Sequence, residues 1–352
     1  MNSTESHIST FTRLHDSPVA IVRNNFKHKS LSDWSLNLHV GCMHRCRFCF
    51  CPSVNVQQNN RIKSHGVADP VNDWGSYLLV RPWNEKRFRA SLLKAENTPL
   101  EQLSHDGNRA IMASTMTDPY QVIRERDLIK QRRMQDIARS TRRRALESIR
   151  DHSTLNVRLL TRSPFAREDF EIMKSFGSRL LLGSSIPTLD TKLARFFEPN
   201  APAPKQRLKL LRDAHAAGIH TFAAVAPVYP GTTLEELVTL FEELRACDPV
   251  TNFMEPINLR LGIVQKIQSH AKEIGFDVDL TPFETPDQWA PYAISSLRMA
   301  ETAAREAGVL DRLHLWPDKA LGASKIISAQ DDPESYRQWL SESWNMISSW
   351  PR

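Results

Sequence analysis

Four of the five cysteines, Cys42, Cys46, Cys49 and Cys51, fall within ten residues, and Cys247 stands alone. A disulfide framework spreads its cysteines to staple distant segments, so this crowding points to metal instead. Cys42, Cys46 and Cys49 form a C-x3-C-x2-C spacing, which lets three thiolates converge on one centre. Two chemistries fit. A structural zinc site takes four ligands in closed tetrahedral geometry, and Cys51 could supply the fourth. An iron–sulfur cluster is also held by thiolates. With three protein ligands it keeps one iron open to a small molecule. The unequal spacing departs from the paired C-x2-C signature of zinc, and Cys49 and Cys51, followed by Pro52, make an awkward ligand pair. On the zinc reading the chain would be a zinc-stabilised nucleic-acid-binding module without catalysis.

The elements around this loop read as alternating strands and helices. Trp34 to Val40 alternates polar and apolar residues as a strand does and runs into the cysteines. Tyr77–Arg81 is a short apolar run, Trp83–Ala95 a helix, and Ala110–Thr115 a strand. Beyond these, strands at Asn156–Thr161, Arg179–Ser185, Thr221–Ala226 and Asn252–Ile257 alternate with helices at Glu168–Phe176, Lys205–Ala217 and Leu234–Ala246. Such alternation implies parallel pairing through right-handed crossovers. The strands are continuous apolar runs, as expected when both faces are covered. No Gly-rich dinucleotide fingerprint follows a strand, so the α/β class predicted is a closed or partly closed β/α barrel rather than an open doubly wound sheet. In such barrels the chemistry sits at the C-terminal strand ends. Those ends carry the cysteine loop, Thr117-Asp118, Thr161-Arg162-Ser163, Ser184-Ser185 and Ala226-Pro227.

The chain has 352 residues, 41% hydrophobic and 24% charged, an ordinary globular composition that excludes disorder and fibres. Residues 1–30 read as a flexible polar arm, 31–270 as the barrel, and 271–352, with five of the eight tryptophans, as an α-rich extension packed on it. No apolar stretch approaches the roughly 20 residues that cross a bilayer. The N-terminus has no charged-then-apolar leader pattern, so a cytoplasmic setting is expected. The net charge is +6. The segment Arg124–Arg150 holds ten basic and four acidic residues, and ten minus four accounts for the whole excess. Its apolar residues, Met134, Ile137, Ala138, Ala145, Leu146 and Ile149, recur at three- and four-residue steps, so it is an amphipathic helix. Its basic face is either a solvated surface or a nucleic-acid contact.

Gly41-Cys-Met-His-Arg-Cys-Arg-Phe-Cys-Phe50 resembles the cluster loop of the radical S-adenosylmethionine (SAM) superfamily. The resemblance continues in order through Thr117-Asp118-Pro119-Tyr120, Leu160-Thr161-Arg162-Ser163, Ser185-Ile186-Pro187-Thr188-Leu189-Asp190, Phe197-Glu198-Pro199 with Arg207-Leu208, and Val225-Ala226-Pro227-Val228-Tyr229. Together, over about residues 35–260, these resemble the spore photoproduct lyase-like branch. The resemblance implies a partial (β/α)6-type barrel, a [4Fe–4S] cluster on Cys42, Cys46 and Cys49, and SAM chelating the open iron. Reductive cleavage of SAM would then yield a 5′-deoxyadenosyl radical that abstracts hydrogen from a substrate. It further implies an electron donor such as flavodoxin or ferredoxin, and nucleic-acid repair or modification as one candidate activity. Thr117 matches a position meeting the methionyl amino group, Ser185 a hydroxyl position facing SAM, and Ala226 a backbone position near the adenosine. Arg162 stands where the family usually has Lys, as a cation for the SAM carboxylate. The lyase has a hydrogen-donating cysteine three residues before the motif aspartate, where this chain has Thr115, and cluster-loop tyrosines where it has Phe48 and Phe50. Expected structural roles are a turn at Glu198-Pro199 with Glu198 paired to Arg207 or a neighbour, a solvated His44, a spare thiol at Cys51 and a core thiol at Cys247.

Overall fold

The computed structural model describes residues 10–24, 31–54, 58–103, 108–258 and 262–351. The strands in chain order are β1 (Phe11–Leu14), β2 (Ile21–Arg23), β3 (Trp34–Leu36), β4 (His39–Val40), β5 (Tyr77–Val80), β6 (Ala110–Ala113), β7 (Asn156–Thr161), β8 (Leu180–Ser185), β9 (His220–Val228), β10 (Pro249–Pro256) and β11 (Leu313–Leu315). The main sheet has the order β11-β10-β9-β8-β7-β6-β3-β2, and β3 through β11 pair in parallel. Only β2 runs antiparallel, against β3. The sheet ends at β2 and β11 without closing, so this is a partial barrel.

Alternate residues of each strand face opposite sides. Met112, Leu181, Phe222 and Phe253 meet inside the curve together with Trp316. Ile111, Leu182, Val225 and Met254 pack outward against the helices. Gly183 is required on the inner face, because a Cβ there would lie 2.3 Å from the Phe222 ring. Arg158 also points inward from β7. It donates to Leu31 O and Ser348 Oγ, and its guanidinium sits over the Phe253 and Trp350 rings at 5.5 and 4.9 Å. The C-terminal segment therefore plugs the inner face near the N-terminal end of β7.

Three features differ from the sequence expectation. Residues 1–9 and 25–30 of the expected arm lie outside the described residues, but 10–24 are not loose. In that stretch β1 pairs with β5, and β2 pairs with β3. Their burial is half-sided and their runs are short, so neither carries a strong alternation. The α-rich extension contributes a strand as well as helices. The helix Pro286–Glu306 shares a core with Leu234–Arg245, and β11 adds to the sheet beside β10. The expected strand over Trp34–Val40 divides between two sheets.

That division positions the cysteines. After Leu36 the chain leaves the main sheet, and β4 enters a small sheet of order β1-β5-β4. Gly41 follows at φ +96°, and a Cβ there would lie 2.3 Å from the Tyr77 carbonyl oxygen. Only glycine makes this turn beside a neighbouring strand without displacement. Gly41→Ala should therefore destabilise the protein by about 1–3 kcal/mol, the usual cost of forcing extra volume into a packed position, with the left-handed φ adding to it. Denaturant unfolding checks this, and an unchanged midpoint would show that the loop shifts freely.

Candidate active site

The cysteine loop lies across the C-terminal ends of the parallel strands and is anchored on two sides. From β6 onward, Thr117 Oγ1 donates to Gly41 O at 2.7 Å, and the Gln121 side-chain oxygen accepts from Met43 N–H at 2.6 Å. Gln121 also donates to Thr117 Oγ1 at 2.9 Å. From beyond β8, Arg47 N–H donates to Phe197 O, and Asn200 donates through its side chain to Met43 O.

Asp118 joins these anchors. Its carboxylate accepts from Tyr120 N–H, Thr161 Oγ1 and Arg162 N–H, each at 2.8 Å, and His44 Nε2 lies 3.0 Å from it. Burial alone would raise the Asp118 pKa, but His44 and the backbone donors at Arg162 and Tyr120 overcome this and hold it at about 2. His44 is therefore not solvated as expected. It is 4% exposed, on the inner side of the loop against this carboxylate.

A second buried carboxylate organises the other expected residues. Glu198 accepts from Arg162 Nε at 2.5 Å and from Arg207 at 2.6 Å. Burial would raise the Glu198 pKa; Arg207 and Arg162 reverse this and hold it below its ordinary value. Arg207 also donates to Ser185 O, and Ser185 Oγ donates to Ala226 O at 3.0 Å. Arg162, Ser185 and Ala226 are thus brought into one connected network. Arg162 reaches the loop as well, with its guanidinium 5.8 Å from the Phe48 ring centre. Thr117 supports the loop backbone at Gly41.

Cys42, Cys46 and Cys49 are each partly buried and reduced. Burial raises the Cys42 and Cys46 thiols, the latter to about 12, and the three thiols act electrostatically on one another. The Cys49 thiol is lowered chiefly by a hydrogen bond from Cys51, which is itself raised by that bond and by burial. Three soft donors within eight residues of one loop, each partly buried and with Arg162 acting on Cys46, are a donor set that fits an iron–sulfur cluster. Cys51 is buried in the apolar cluster under the loop with Val40, Trp74 and Tyr77, and Cys247 lies in the main core.

Of the segment Arg124–Arg150, residues Leu128–His152 form one helix. Arg142 is buried, and Arg142 and Arg143 both bind Asp169 at 2.6 Å. Lys130, Arg139 and Arg150 also form ion pairs. Half of the ten basic residues therefore serve local pairing, while Arg124, Arg126, Arg132, Arg133 and Arg144 are exposed.

Sequence reasoning assigned no site role to Asp118, Gln121, His44 or Asn200. Asp118 stood beside Thr117 at a strand end, which is a usable signal. Gln121 and Asn200 carry none, because their role exists only where the loop lies over them.

A parallel partial barrel with a three-thiol loop after its first parallel strand, facing a polar ring of strand ends, defines a metallocluster enzyme scaffold. The model of the radical SAM superfamily matches residues 36–244, and the chain belongs to that superfamily. Its cofactors are accordingly a [4Fe–4S] cluster and SAM, which sets aside the zinc-module reading. Solved structures of spore photoproduct lyase share the fold. One with bound AdoMet and dinucleoside spore photoproduct aligns at TM-score 0.55 and 16% identity, covering 86% of this chain and 80% of that chain. Among curated proteins, the uncharacterized protein ORF301 of Acidianus two-tailed virus is 29% identical over 222 residues, 62% of this chain and 64% of that protein. The uncharacterized protein Rv2578c of Mycobacterium tuberculosis is 25% identical over 202 residues, 57% of this chain and 51% of that protein. The matching region thus spans less than two thirds of these relatives. No helix among the described residues is long and apolar enough to cross a membrane.

Asp118→Asn tests the clamp. A carboxyl lowered from 3.8 to about 2 contributes stability that is fully present above pH 3.8 and lost as pH falls through about 2. The variant should be about 2 kcal/mol less stable at pH 7, with the gap to wild type closing below pH 4. Denaturant midpoints across this range decide it; a constant gap would assign the loss to packing.

Proposed function

We propose that Cys42, Cys46 and Cys49 hold the cluster and that the chain is a radical SAM enzyme acting on hydrogen of an organic substrate in the barrel mouth. The bound cofactors supply reductive cleavage of SAM to a 5′-deoxyadenosyl radical. The observation that carries this reading is the physical link between the thiol loop and the strand ends. Asp118 ties His44 of the loop to β7, and Glu198 ties Arg162 to Arg207 and through it to Ser185. Arg162 offers a fixed guanidinium fork for the SAM carboxylate, with Glu198 restraining its orientation. The Ser185 hydroxyl and Ala226 carbonyl frame the neighbouring wall. Electrons come from an external carrier such as flavodoxin or ferredoxin. Free thiols are in keeping with a reducing cytoplasmic setting.

Nucleic-acid repair or modification is the second reading. The five exposed arginines of the segment Arg124–Arg150 support it, as does the fold shared with a photoproduct lyase.

Iron analysis tests the ligand set. Wild-type protein reconstituted anaerobically should hold about four irons per chain, as one cubane cluster requires. Cys42→Ala, Cys46→Ala and Cys49→Ala should lose the cluster, while Cys51→Ala keeps it. Equal loss in Cys51→Ala would establish a four-cysteine site, and about twice the iron would establish a second cluster.

Repair of the spore photoproduct itself is not expected. Thr115 replaces the thiol donor, and its oxygen accepts from Asn37 at 2.8 Å. An alcohol O–H bond is too strong to give its hydrogen to a carbon radical. Phe48 and Phe50 carry no phenolic hydrogen. Reduced protein with SAM and photoproduct-containing DNA should cleave SAM without restoring thymines. Multiple turnovers to intact thymines would overturn the donor argument.

A further inference from the structure

The end of β1 and the end of the helix Asn59–Ser64 bring together a second group of metal-type donors. None of them belongs to the thiol loop or to the strand-end network. One ligand atom from each of His15, Asp16 and His65 lies within 4.8 Å of the others. Asp16 Oδ1 is 3.1 Å from His15 Nδ1 and 3.5 Å from His65 Nε2, and the two rings stack with centroids 5.2 Å apart. Both histidines are fixed through their backbones. His15 N–H donates to Val80 O at 2.8 Å, which prolongs the pairing of β1 with β5, and His65 N–H donates to Ile62 O at 3.1 Å as the helix ends.

His15 is 3% exposed, and its Nδ1 stands 2.9 Å from Ser17 N–H and 3.2 Å from Ser17 O. Its Nε2 is buried without a hydrogen-bond partner, and so is Nε2 of His65. Buried polar side-chain atoms are nearly always paired, so two orphans in one place call for an explanation. A change of tautomer does not relieve His15. With the proton on Nδ1 the Nε2 lone pair lacks a donor, and with it on Nε2 the N–H lacks an acceptor. A metal ion would take the lone pairs of both rings. Ser17 O would then hold the other nitrogen of His15, as carbonyls commonly do for metal-bound imidazoles. Of the charges acting on His15, Arg81 and Arg61 oppose a cation and Asp16 favours one. Arg61 is itself engaged by Asp16 at 2.8 Å, but both partners of that pair are exposed. Exposed ion pairs contribute little, so this one can yield to a ligand bond.

We propose that His15, Asp16 and His65 form a structural metal site for one zinc ion, separate from the thiol loop. Two imidazoles and a carboxylate are ligands that zinc takes, with water in the fourth position. Nitrogen and oxygen donors of this kind also hold zinc more tightly than divalent iron or manganese. Tetrahedral zinc with bonds of roughly 2.0–2.2 Å spaces its ligands roughly 3.4 Å apart, so the set closes by at most about 1.4 Å. Rotation of three side chains supplies that. The ion ties β1 to the helix Asn59–Ser64, whose Ile62 packs with Val40, Cys51, Trp74 and Tyr77 beneath the thiol loop. It therefore braces the floor on which that loop rests.

The test titrates Zn2+ by calorimetry into reconstituted holoenzyme freed of loose metal on a chelating resin. Wild type should bind one zinc per chain. Saturating zinc should raise its denaturant midpoint, because an ion that binds only the folded chain stabilises it. His65→Ala and Asp16→Asn should each weaken zinc binding at least about tenfold, a loss that even a supporting group of a metal ligand brings. Both should lose the midpoint shift and keep the iron content of wild type. His15→Ala removes a buried ring, so His65→Ala decides the matter where that variant does not fold. Cobalt(II) in place of zinc should give a difference spectrum without the intense sulfur charge-transfer band of thiolate ligands. The proposal is overturned if wild type binds no zinc, if His65→Ala binds it as wild type does, or if cobalt shows the thiolate band. The site shares no residue with the thiol loop, so its failure leaves the radical SAM reading standing, and failure of the cluster to assemble leaves the zinc titration decisive.

Discussion

The site depends on one buried carboxylate. Asp118 is 5% exposed, yet it touches the cysteine loop through His44, its own turn through Tyr120, and the end of β7 through Thr161 and Arg162. A buried ionised group survives only if donors replace the water it lost. Three hydrogen bonds and a histidine do so, and each comes from an element the cluster site needs in register. Removing the charge would loosen all of them together, because the donors would in turn be left unpaired.

Glu198 applies the same rule to the other half of the mouth. Two guanidinium groups so near each other would repel strongly in a low-dielectric setting. The carboxylate between them makes the arrangement stable and fixes both orientations. Arg162 can then present its remaining donors beside Cys46 with a restrained side chain. Arg207 carries the constraint on to the Ser185 carbonyl. Arg162 and Ser185 are thus tied into one buried charge network, a support that functional sites commonly need.

The cysteine loop therefore has two unlike faces. The inner face meets buried carboxylates with partners: Asp118 beside His44, and Glu198 with Arg162 and Arg207. The outer face meets a cleft lined by Arg45, Arg47, Arg124, Lys192, Arg195 and Lys266, with Glu273 among the other lining residues. Paired charges suit a preorganised interior, where stray fields would be costly. The separation follows from the chain path, since β4 turns the loop out of the main sheet and over the helices that follow β8 and β10.

Sequence by itself determined the crowding of four cysteines in one loop, the alternation of strands with helices and the order of the strand-end residues. Those rest on spacing and on the period of apolar residues, which are local properties of the chain. The strands at Asn156–Thr161 and Leu180–Ser185 were legible for this reason, as each carries clustered apolar residues, Val157, Leu159 and Leu160 in one and Leu180 to Leu182 in the other. The short strands β1, β2 and β11 were not, because three or four residues on a sheet edge carry too little pattern. Tertiary structure alone decided that Thr117 holds a backbone carbonyl, that His44 is buried against Asp118, and that half of the basic residues in Arg124–Arg150 are consumed in ion pairs. It also decided that Arg45, Arg124, Lys192 and Lys266, up to 221 residues apart in the chain (266 − 45 = 221), line one cleft. Hydrogen bonds and ion pairs depend on which groups face each other across packed elements, and no spacing along a single segment encodes that.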